Sequence, residues 1–385
     1  MEGVRVIELG VWVAGPAAGG VLADWGADVV KIEPPGGDPG RMFGRMLGCD
    51  FGLNPPFEMD NRSKRSIVLD LSTENGRETA LELLSDADVF LTNIRPGALR
   101  RIGLDFETVA VSNPLLVYGL ITGFGETGPD ADRAAYDVAA FWSRGGLAHL
   151  LTRPGDTPPF QRGGMGDHMA GMTLAAAICA ALVARHRTGA GQLVTTSLYR
   201  QGVYTVSFDL NTYLLTGQSI AIGQRETMGN PCMNNYATGD GKRFWIVGLE
   251  ANRHWPALCR VVGRRDWLTD ERFVDARTRA AHAPELIREL DQIFATRPLS
   301  EWAKTFAGEP DFFWSPINSL EDILADEQFH AAGGIVDVPD GTSSMPMVAT
   351  PADFHGTPWA PRTGAPELGE HTDEVLTELR ERRRP

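Results

Sequence analysis

The chain has 385 residues, more than a single hydrophobic core usually accommodates, so we expect two domains. Its formal net charge of −14 argues against nucleic-acid binding, because an acidic surface repels a phosphate backbone. The four scattered cysteines, the absence of a C-x-x-C pair and of a basic, apolar leader, and apolar runs well short of about 20 residues predict a reduced, cytoplasmic protein without a metal site or membrane segment.

The first third of the chain alternates strand and helix patterns. Five apolar or β-branched runs predict strands, at residues 4–9, 28–33, 66–71, 87–91 and 114–120. Helices are predicted between them, one over the small-residue segment 16–26 and one over 73–85. This alternation favours a doubly wound parallel sheet built in the first 125 or so residues. The first turn, at 10–15, lacks the G-x-G-x-x-G fingerprint, so an NAD-linked oxidoreductase has little support.

The pattern changes after this sheet. An apolar helix is predicted over 167–186, then a strand at 193–198 and a helix from 199 to 215. A hairpin with a Gly-Asp-Gly turn follows at 235–248, and then helices up to about residue 306. We place a domain boundary after residue 215 and expect a smaller α+β domain beyond it. A Pro- and Gly-rich connector over 351–366 precedes a final amphipathic helix that starts near 369.

Several short blocks occur in a fixed order along the chain. They are GVRVIEL (3–9), AGP (14–16), LADWGADVVKIE (22–33), NRSKRS (61–66), NIRPG (93–97), GDH (166–168) and GEHT (369–372). Together these blocks resemble the class III CoA-transferase family, which includes formyl-CoA and carnitine-CoA transferases and the homologous α-methylacyl-CoA racemases.

The resemblance implies an α/β fold with an unusual domain order. A large Rossmann-like domain with a parallel sheet would contain residues 1–215 and be completed by about 330–385. A small α+β domain would contain residues 225–325, and two subunits would interlock like rings in a homodimer. Coenzyme A would enter as a substrate, with no permanently bound cofactor and no metal.

Asp167 is the candidate catalytic residue. It follows Gly163-Gly164-Met165-Gly166 at the start of the apolar helix, where a carboxylate is typical of a helix N-cap. The glycines, Gly166 above all, also leave room for a thioester to approach a nucleophile. The resemblance implies that Asp167 attacks the donor acyl-CoA to give a mixed anhydride and then an aspartyl-CoA thioester, which the acceptor acid resolves.

Three neighbours have open roles. His168 could be an acid/base partner, but successive helical residues point about 100° apart, which favours a structural role. Tyr136 stands where racemases carry a catalytic His, and tyrosine is a poor proton acceptor at neutral pH, so we expect a CoA or carbonyl contact or simple packing. Glu250 falls near a racemase glutamate and is otherwise a surface residue at a helix start.

Further residues are candidates for CoA contacts because the resemblance assigns their positions to CoA. Asn93 and Arg101 match contact positions, Ile94 stands where an aromatic is common, and Ala14 is a site of close backbone approach. Arg41 is a weaker candidate for a phosphate or adenine contact.

Two other segments are candidates for the loop and acyl pocket. Gly229, with Gly223 nearby, lies where transferases have a mobile loop that shields the acyl-enzyme from water. Phe141 and Trp142 are candidates for lining an acyl pocket, although core packing is the commoner role for aromatic residues.

The residues and the resemblance together predict a CoA-transferase that moves CoA between an acyl-CoA thioester and a free carboxylic acid, with a medium or bulky acyl chain. Two alternatives stay open. One is an acyl-CoA racemase or epimerase that acts at the α carbon, and the other is a non-catalytic protein that binds CoA thioesters, in which Asp167 only caps its helix.

Overall fold

The computed structural model describes residues 1–48, 52–220 and 224–382, so Cys49 and the predicted loop residue Gly223 lie outside the described residues. The chain divides into two units, residues 1–219 with 330–385 and residues 220–329. The strands, numbered in chain order, are β1 Arg5–Leu9, β2 Asp28–Glu33, β3 Arg65–Val68, β4 Val89–Thr92, β5 Val117–Thr122, β6 Gln192–Ser197, β7 Met233–Ala237, β8 Arg243–Val247, β9 Trp314–Pro316, β10 Ile335–Asp340 and β11 Ser343–Val348.

The helices are numbered in the same way. The α-helices are α1 Ala14–Asp24, α2 Phe43–Met46, α3 Pro55–Asn61, α4 Glu74–Ser85, α5 Pro96–Ile102, α6 Phe106–Ser112, α7 Leu147–Leu150, α8 Met165–Thr188, α9 Leu198–Thr205, α10 Ser207–Thr216, α11 Ala251–Val261, α12 Ala276–Ala281, α13 Ala283–Phe294, α14 Leu299–Ala307, α15 Leu320–Leu324, α16 Glu327–Ala331 and α17 Thr372–Arg382. Short 3₁₀ turns lie at Pro39–Met42, Arg225–Thr227 and Arg265–Leu268, and a π-helix lies at Val138–Arg144.

The first unit is built on a six-stranded sheet in the order β3-β2-β1-β4-β5-β6, with every neighbouring pair parallel. This is the strand order of the Rossmann fold, so the predicted α/β class is confirmed. The expectation that the sheet is complete by residue 125 is wrong, because β6 pairs with β5 in the same sheet. About 70 residues separate these two strands, and a local pattern cannot show such a pairing.

Alternate side chains of the strands pack into two hydrophobic cores, one on each face of the sheet. One face of the sheet carries Val6 and Val29 beneath α1 and α8, and the other carries Ile7 and Val30 beneath α4, α5, α6 and α17. Because the sheet is covered on both faces, the central strands β1, β2, β4 and β5 are buried at nearly every position. Phe141 and Trp142 are buried in the first of these cores, which confirms core packing for both.

Helix α8 contradicts one expectation. This helix is long and apolar enough to cross a membrane by length and composition. The expectation that every apolar run is well short of about 20 residues is therefore wrong. Core helices of globular proteins pass the same test, and α8 buries one face against α1 and the sheet. The single helix predicted over 199–215 is two helices, α9 and α10, which meet at Val206.

The second unit contains the predicted hairpin, formed by β7 and β8, to which β9 adds a third antiparallel strand. Its core is rich in aromatic side chains and includes Trp255, Trp267, Phe294 and Trp302.

The C-terminal part of the first unit contains a hairpin, β10–β11, that the sequence did not predict. Helix α17 then packs Val375 and Leu379 on the second face of the parallel sheet.

Candidate active site

The loop between β1 and α1 lies at the carboxyl edge of the sheet, where open α/β sheets bind their ligands. Asn93 holds this loop by accepting a bond from the Val11 amide at 2.9 Å and donating one to the Val11 carbonyl at 2.8 Å. Trp12 adopts a left-handed conformation with φ of 64°, and its amide donates to Asp38 at 2.9 Å. The loop is therefore fixed from two sides.

Beneath this loop lies a buried ion cluster, which we define as Glu8, Lys31, Asp38 and Lys64. The Lys31 ammonium lies 3.0 Å from Glu8 and 2.8 Å from Asp38, and the Lys64 ammonium lies 2.7 Å from Glu8. Lys31 also donates to the Gly10 carbonyl at 2.9 Å, which ties the cluster to the loop.

The pKa values of the two lysines in the cluster are shifted in opposite directions. Burial alone would lower the pKa of both ammonium groups. Lys31 faces two carboxylates, which raise its pKa above the usual value. Lys64 has Glu8 as its ion-pair partner and lies near the positive charge of Lys31, so burial prevails and lowers the pKa of Lys64 to about 8. Burial likewise works to raise the pKa of the Glu8 carboxyl, but Lys64 and Lys31 hold it below the usual range.

Arg41, a predicted CoA contact, is engaged in a structural ion pair. Its guanidinium donates to both carboxylate oxygens of Glu33, at 2.8 and 2.6 Å, and to the Pro366 carbonyl at 3.0 Å. It also lies 4.4 Å above the centre of the Phe57 ring. These contacts connect β2 to the C-terminal segment, a role that the sequence did not indicate.

Asp167 lies in the first turn of α8, and its side chain does not cap the helix. The N-cap is Gly164, in a left-handed conformation, and the capping carboxylate comes from Asp137, which accepts bonds from the amides of Gly166 at 3.0 Å and Asp167 at 3.4 Å. The cap role considered for Asp167 is therefore wrong. Asp167 is partly exposed, and no hydrogen bond to its carboxylate is found among residues 1–48, 52–220 and 224–382.

The absence of a side chain at Gly166 is required here. A Cβ atom at this position would lie 2.3 Å from Asp137 Oδ1 and 2.3 Å from a Phe141 ring carbon. The glycine thus lets Asp137 reach the end of α8, so its importance lies in this close contact as well as in access to the carboxylate.

The pKa of the Asp167 carboxyl is raised above its usual value. Burial, the nearby negative charge of Asp137 and, more weakly, that of Asp60 raise the pKa of Asp167 to about 7, although His168 opposes them. A carboxyl tuned close to neutrality in this way is typical of catalytic sites.

His168 lies next to Asp167 in sequence, and its side chain forms an ion pair. Its Nε2 lies 3.1 Å from an oxygen of Asp60, a buried residue of α3. The hydrogen bond to Asp60 is the main cause that raises the pKa of His168. Asp60 was not predicted as a site residue, because it lies 108 positions before its partner His168 and nothing local marks it.

The predicted CoA residues of the first unit differ in their exposure. Ala14 is buried in the first turn of α1, and Ile94 follows β4, where its amide donates to Thr92 at 3.1 Å. Arg101 is exposed on α5. Tyr136 is 64% exposed and lies edge-on to Trp12, with ring centres 6.0 Å apart.

Two predicted residues belong to the second unit. Gly229 precedes the β7–β8 hairpin, where Asn230 donates to the Gly248 carbonyl at 2.9 Å. Glu250 is the exposed N-terminal neighbour of α11 and pairs with Arg253 at 3.2 Å, as expected for a surface residue at a helix start. Within the part of the chain that the structure describes, no group of three or more His, Cys, Asp or Glu side chains is placed to hold a metal ion.

Comparison with known proteins agrees with this geometry. Residues 1–372 match the model of CoA-transferase family III. The chain is 33% identical to (R)-2-hydroxy-4-methylpentanoate CoA-transferase of Clostridioides difficile, over 98% of this chain and 95% of the relative, and 37% identical to succinate–glutarate CoA-transferase of Agrobacterium fabrum, over 98% and 95%. Cinnamoyl-CoA:phenyllactate CoA-transferase of Clostridium sporogenes is 35% identical, over 98% and 93%.

A solved structure gives the same result. The chain superimposes on a CaiB/BaiF family protein from Brucella suis with a TM-score of 0.84 and 32% identity, and the match covers 98% of each chain. The sequence blocks, the six-stranded parallel sheet and these matches agree over nearly the whole length, so the chain belongs to CoA-transferase family III and is a CoA-transferase.

Proposed function

We propose that this CoA-transferase works through covalent catalysis by Asp167, with an acyl anhydride and an aspartyl-CoA thioester as intermediates. The observation that carries this proposal is the state of the Asp167 carboxylate. It is accessible, it receives no hydrogen bond from the described residues, and the capping task at its helix belongs to Asp137. A carboxylate left free in this way is available as a nucleophile.

The proposed reaction needs two acyl exchanges. The Asp167 oxygen attacks the thioester carbon of the donor, the carbon–sulfur bond breaks, and the CoA thiolate leaves. The thiolate then attacks the aspartyl carbonyl of the anhydride, which frees the donor acid and gives the aspartyl-CoA thioester. The acceptor carboxylate repeats these steps in reverse, so that acceptor acyl-CoA and the free aspartate result. The enzyme carboxylate divides one difficult exchange into easier steps.

For the substrate, we propose a medium or bulky acyl group. Two of the three relatives carry 2-hydroxy-4-methylpentanoate, cinnamoyl and phenyllactate groups in their names, which supports an apolar acyl chain, whereas the third is named for the dicarboxylates succinate and glutarate. A group of aromatic side chains at the β1–α1 loop provides further support, since the half-buried Trp12 lies 5.3 Å from Phe43 and 6.0 Å from the exposed Tyr136 between ring centres. Such rings offer a large apolar contact area at low entropic cost.

The covalent step can be tested directly. The protein is mixed with an acyl-CoA, trapped with hydroxylamine and analysed by mass spectrometry for a modified Asp167 peptide. We expect a hydroxamate on Asp167 and a fall in turnover of at least about 10³-fold in Asp167→Asn, because the nucleophile is lost. Asp86→Asn is the matched control, since Asp86 is 58% exposed in an ion pair with Arg382.

Two results would contradict the mechanism. One is an Asp167→Asn variant that turns over at full rate. The other is exchange of the α proton with deuterated water without transfer to any acid in a panel tested with succinyl-, acetyl- and 2-hydroxyacyl-CoA, which would indicate a racemase.

We also propose that the active enzyme is a homodimer. Helix α10 buries none of its residues within the chain, and Phe208, Leu214 and Leu215 are at least 69% exposed. Apolar side chains exposed together in this way are typical of an interface. Sedimentation velocity should therefore give a dimer for the parent protein; a monomeric parent protein would contradict the proposal.

A further inference from the structure

The ring of His168 is held in one place by two contacts. Asp60, itself only 4% exposed, binds Nε2 at 3.1 Å. The ring also lies against Gly164, where a Cβ atom would be 3.1 Å from Cε1 and 3.2 Å from Nδ1. Gly164 has φ of 76°, so its conformation favours glycine in addition to the space that the ring requires. These two contacts orient the imidazole relative to the first turn of α8, although the His168 side chain is 40% exposed.

Three charged groups face Asp167 in the described part of the chain: Asp137 before the π-helix, Asp60 on α3 and His168 on α8 itself. The two aspartates repel the Asp167 carboxylate, and His168 is the group among them that can carry a positive charge. Asp60 thus has two effects, because it repels Asp167 directly and also favours the protonated form of His168.

We propose that Asp60 and His168 are positioning residues for the nucleophile: Asp60 orients His168 and favours its protonated form, and the imidazolium keeps the neighbouring Asp167 carboxylate ionised for attack. This inference rests on the proposed covalent function and adds the source of the charge that makes it work near neutral pH. Because His168 and Asp167 are consecutive on the helix, the imidazolium acts through its charge and needs no direct bond to the carboxylate.

The electron balance of the first step explains why ionisation matters. The bond that forms joins the Asp167 oxygen to the acyl carbon, and the bond that breaks is carbon–sulfur, whose electron pair leaves on the CoA thiolate. No proton is gained or lost, so a protonated Asp167 cannot enter the cycle without first losing its proton. The negative charge moves from Asp167 to sulfur, and the imidazolium stays beside the site in both states.

The test is the pH dependence of acyl-enzyme formation and of kcat/KM between about pH 5.5 and 9.5. In His168→Gln the acid limb, the low-pH side of the pH–rate profile on which the rate rises with pH, should move to higher pH by about one unit. The rate should therefore be about tenfold lower near pH 6 and close to the parent rate near pH 9.5. His186→Gln is the matched control, because His186 is exposed near the opposite end of the same helix. Thermal midpoints of all variants check that the fold is kept.

The double variant Asp60→Asn/His168→Gln separates charge from simple packing. In the single variant the negative charge of Asp60 remains without its cation, whereas the double variant removes both charges. We expect the acid limb of the double variant to return toward the parent position. A loss of rate that is equal at every pH in His168→Gln, or a double variant whose acid limb lies above that of the single variant, would overturn the inference. If the parent protein gives no adduct on Asp167, the proposed covalent function itself fails, whatever the His168 variants do.

Discussion

Replacing Glu8 with Gln tests whether the buried ion cluster stabilises the fold beneath the β1–α1 loop. The Glu8 carboxylate lies 3.0 Å from the Lys31 ammonium and 2.7 Å from the Lys64 ammonium, and all three side chains are fully buried. In the variant Lys31 keeps Asp38 at 2.8 Å. Lys64 loses the carboxylate that is its ion-pair partner among the described residues, so part of the penalty falls on Lys64.

The size of this penalty follows from two contributions. Loss of the charge-assisted bond between Glu8 and Lys31 costs about 2 kcal/mol. Burial already lowers the pKa of Lys64 to about 8, and without Glu8 we expect it to fall to about 7 or below, which costs about 1 kcal/mol near pH 7. The sum of about 3 kcal/mol is at the lower end of the range for removing one partner of a buried ion pair.

The titration of Lys64 also determines how the stability deficit of Glu8→Gln depends on pH. Between about pH 7 and pH 8 the folded parent holds a proton on Lys64 that the folded variant has largely lost, while the two unfolded chains titrate alike. The deficit in unfolding free energy therefore shrinks as the pH rises toward 8, by at most about 1.4 kcal/mol per pH unit.

Urea unfolding of both proteins near pH 6.5 and pH 8.5 measures this deficit. Glu374→Gln is the matched control, because Glu374 is 56% exposed and pairs with Arg65 at the surface, so we expect a change below about 1 kcal/mol. A Glu8→Gln deficit as small as that of the control, or one that does not depend on pH, would refute the reasoning.

Three further predictions follow from the site. Gly166→Ala should lower both the turnover rate and the free energy of unfolding, because its Cβ would lie 2.3 Å from a Phe141 ring carbon. We expect a loss of stability of about 1–3 kcal/mol in a thermal melt. Gly163→Ala, where a Cβ atom meets open space, should change neither quantity. Asn93→Ala should raise KM for acyl-CoA more than it lowers kcat in steady-state kinetics, because the β1–α1 loop loses both side-chain bonds that hold it. Since burial raises the pKa of Asp167 to about 7, hydroxylamine trapping near pH 6 should proceed at about a tenth of its rate above pH 8; a flat profile would contradict this assignment.

The fold was largely predictable because its strands are short apolar runs bounded by turn residues. Prediction failed where the pattern is interrupted. Strand β10 contains Pro339 and β11 contains Pro346, and proline within a run argues against a strand, so this hairpin was missed. The pairing of β6 with β5 was missed for a different reason, because it is a contact between distant segments.

The site was predictable only in part. Asp167 is marked locally by the glycines before it, but its surroundings come from segments far away in sequence, Asp137 from before the π-helix and Asp60 from α3. One local signal in the sequence indicates the buried ion cluster. Glu8 and Lys31 are charged residues that alternate with apolar residues inside two predicted strands, and charges buried in such strands have to be paired.

The two aspartates near Asp167 explain why this carboxylate is both reactive and sensitive to pH. The exposed amides at the start of a helix normally stabilise a carboxylate and make it a weaker base. Here Asp137 takes the bonds from the Gly166 and Asp167 amides, so the Asp167 carboxylate is left without them and stays basic. A more basic carboxylate is a better nucleophile toward a thioester, but it also binds a proton more readily near neutral pH. A positive charge beside the Asp167 carboxylate makes it bind a proton less readily. His168 can supply this charge without a hydrogen bond to the carboxylate that would make it a weaker base, because the His168 ring is oriented toward Asp60.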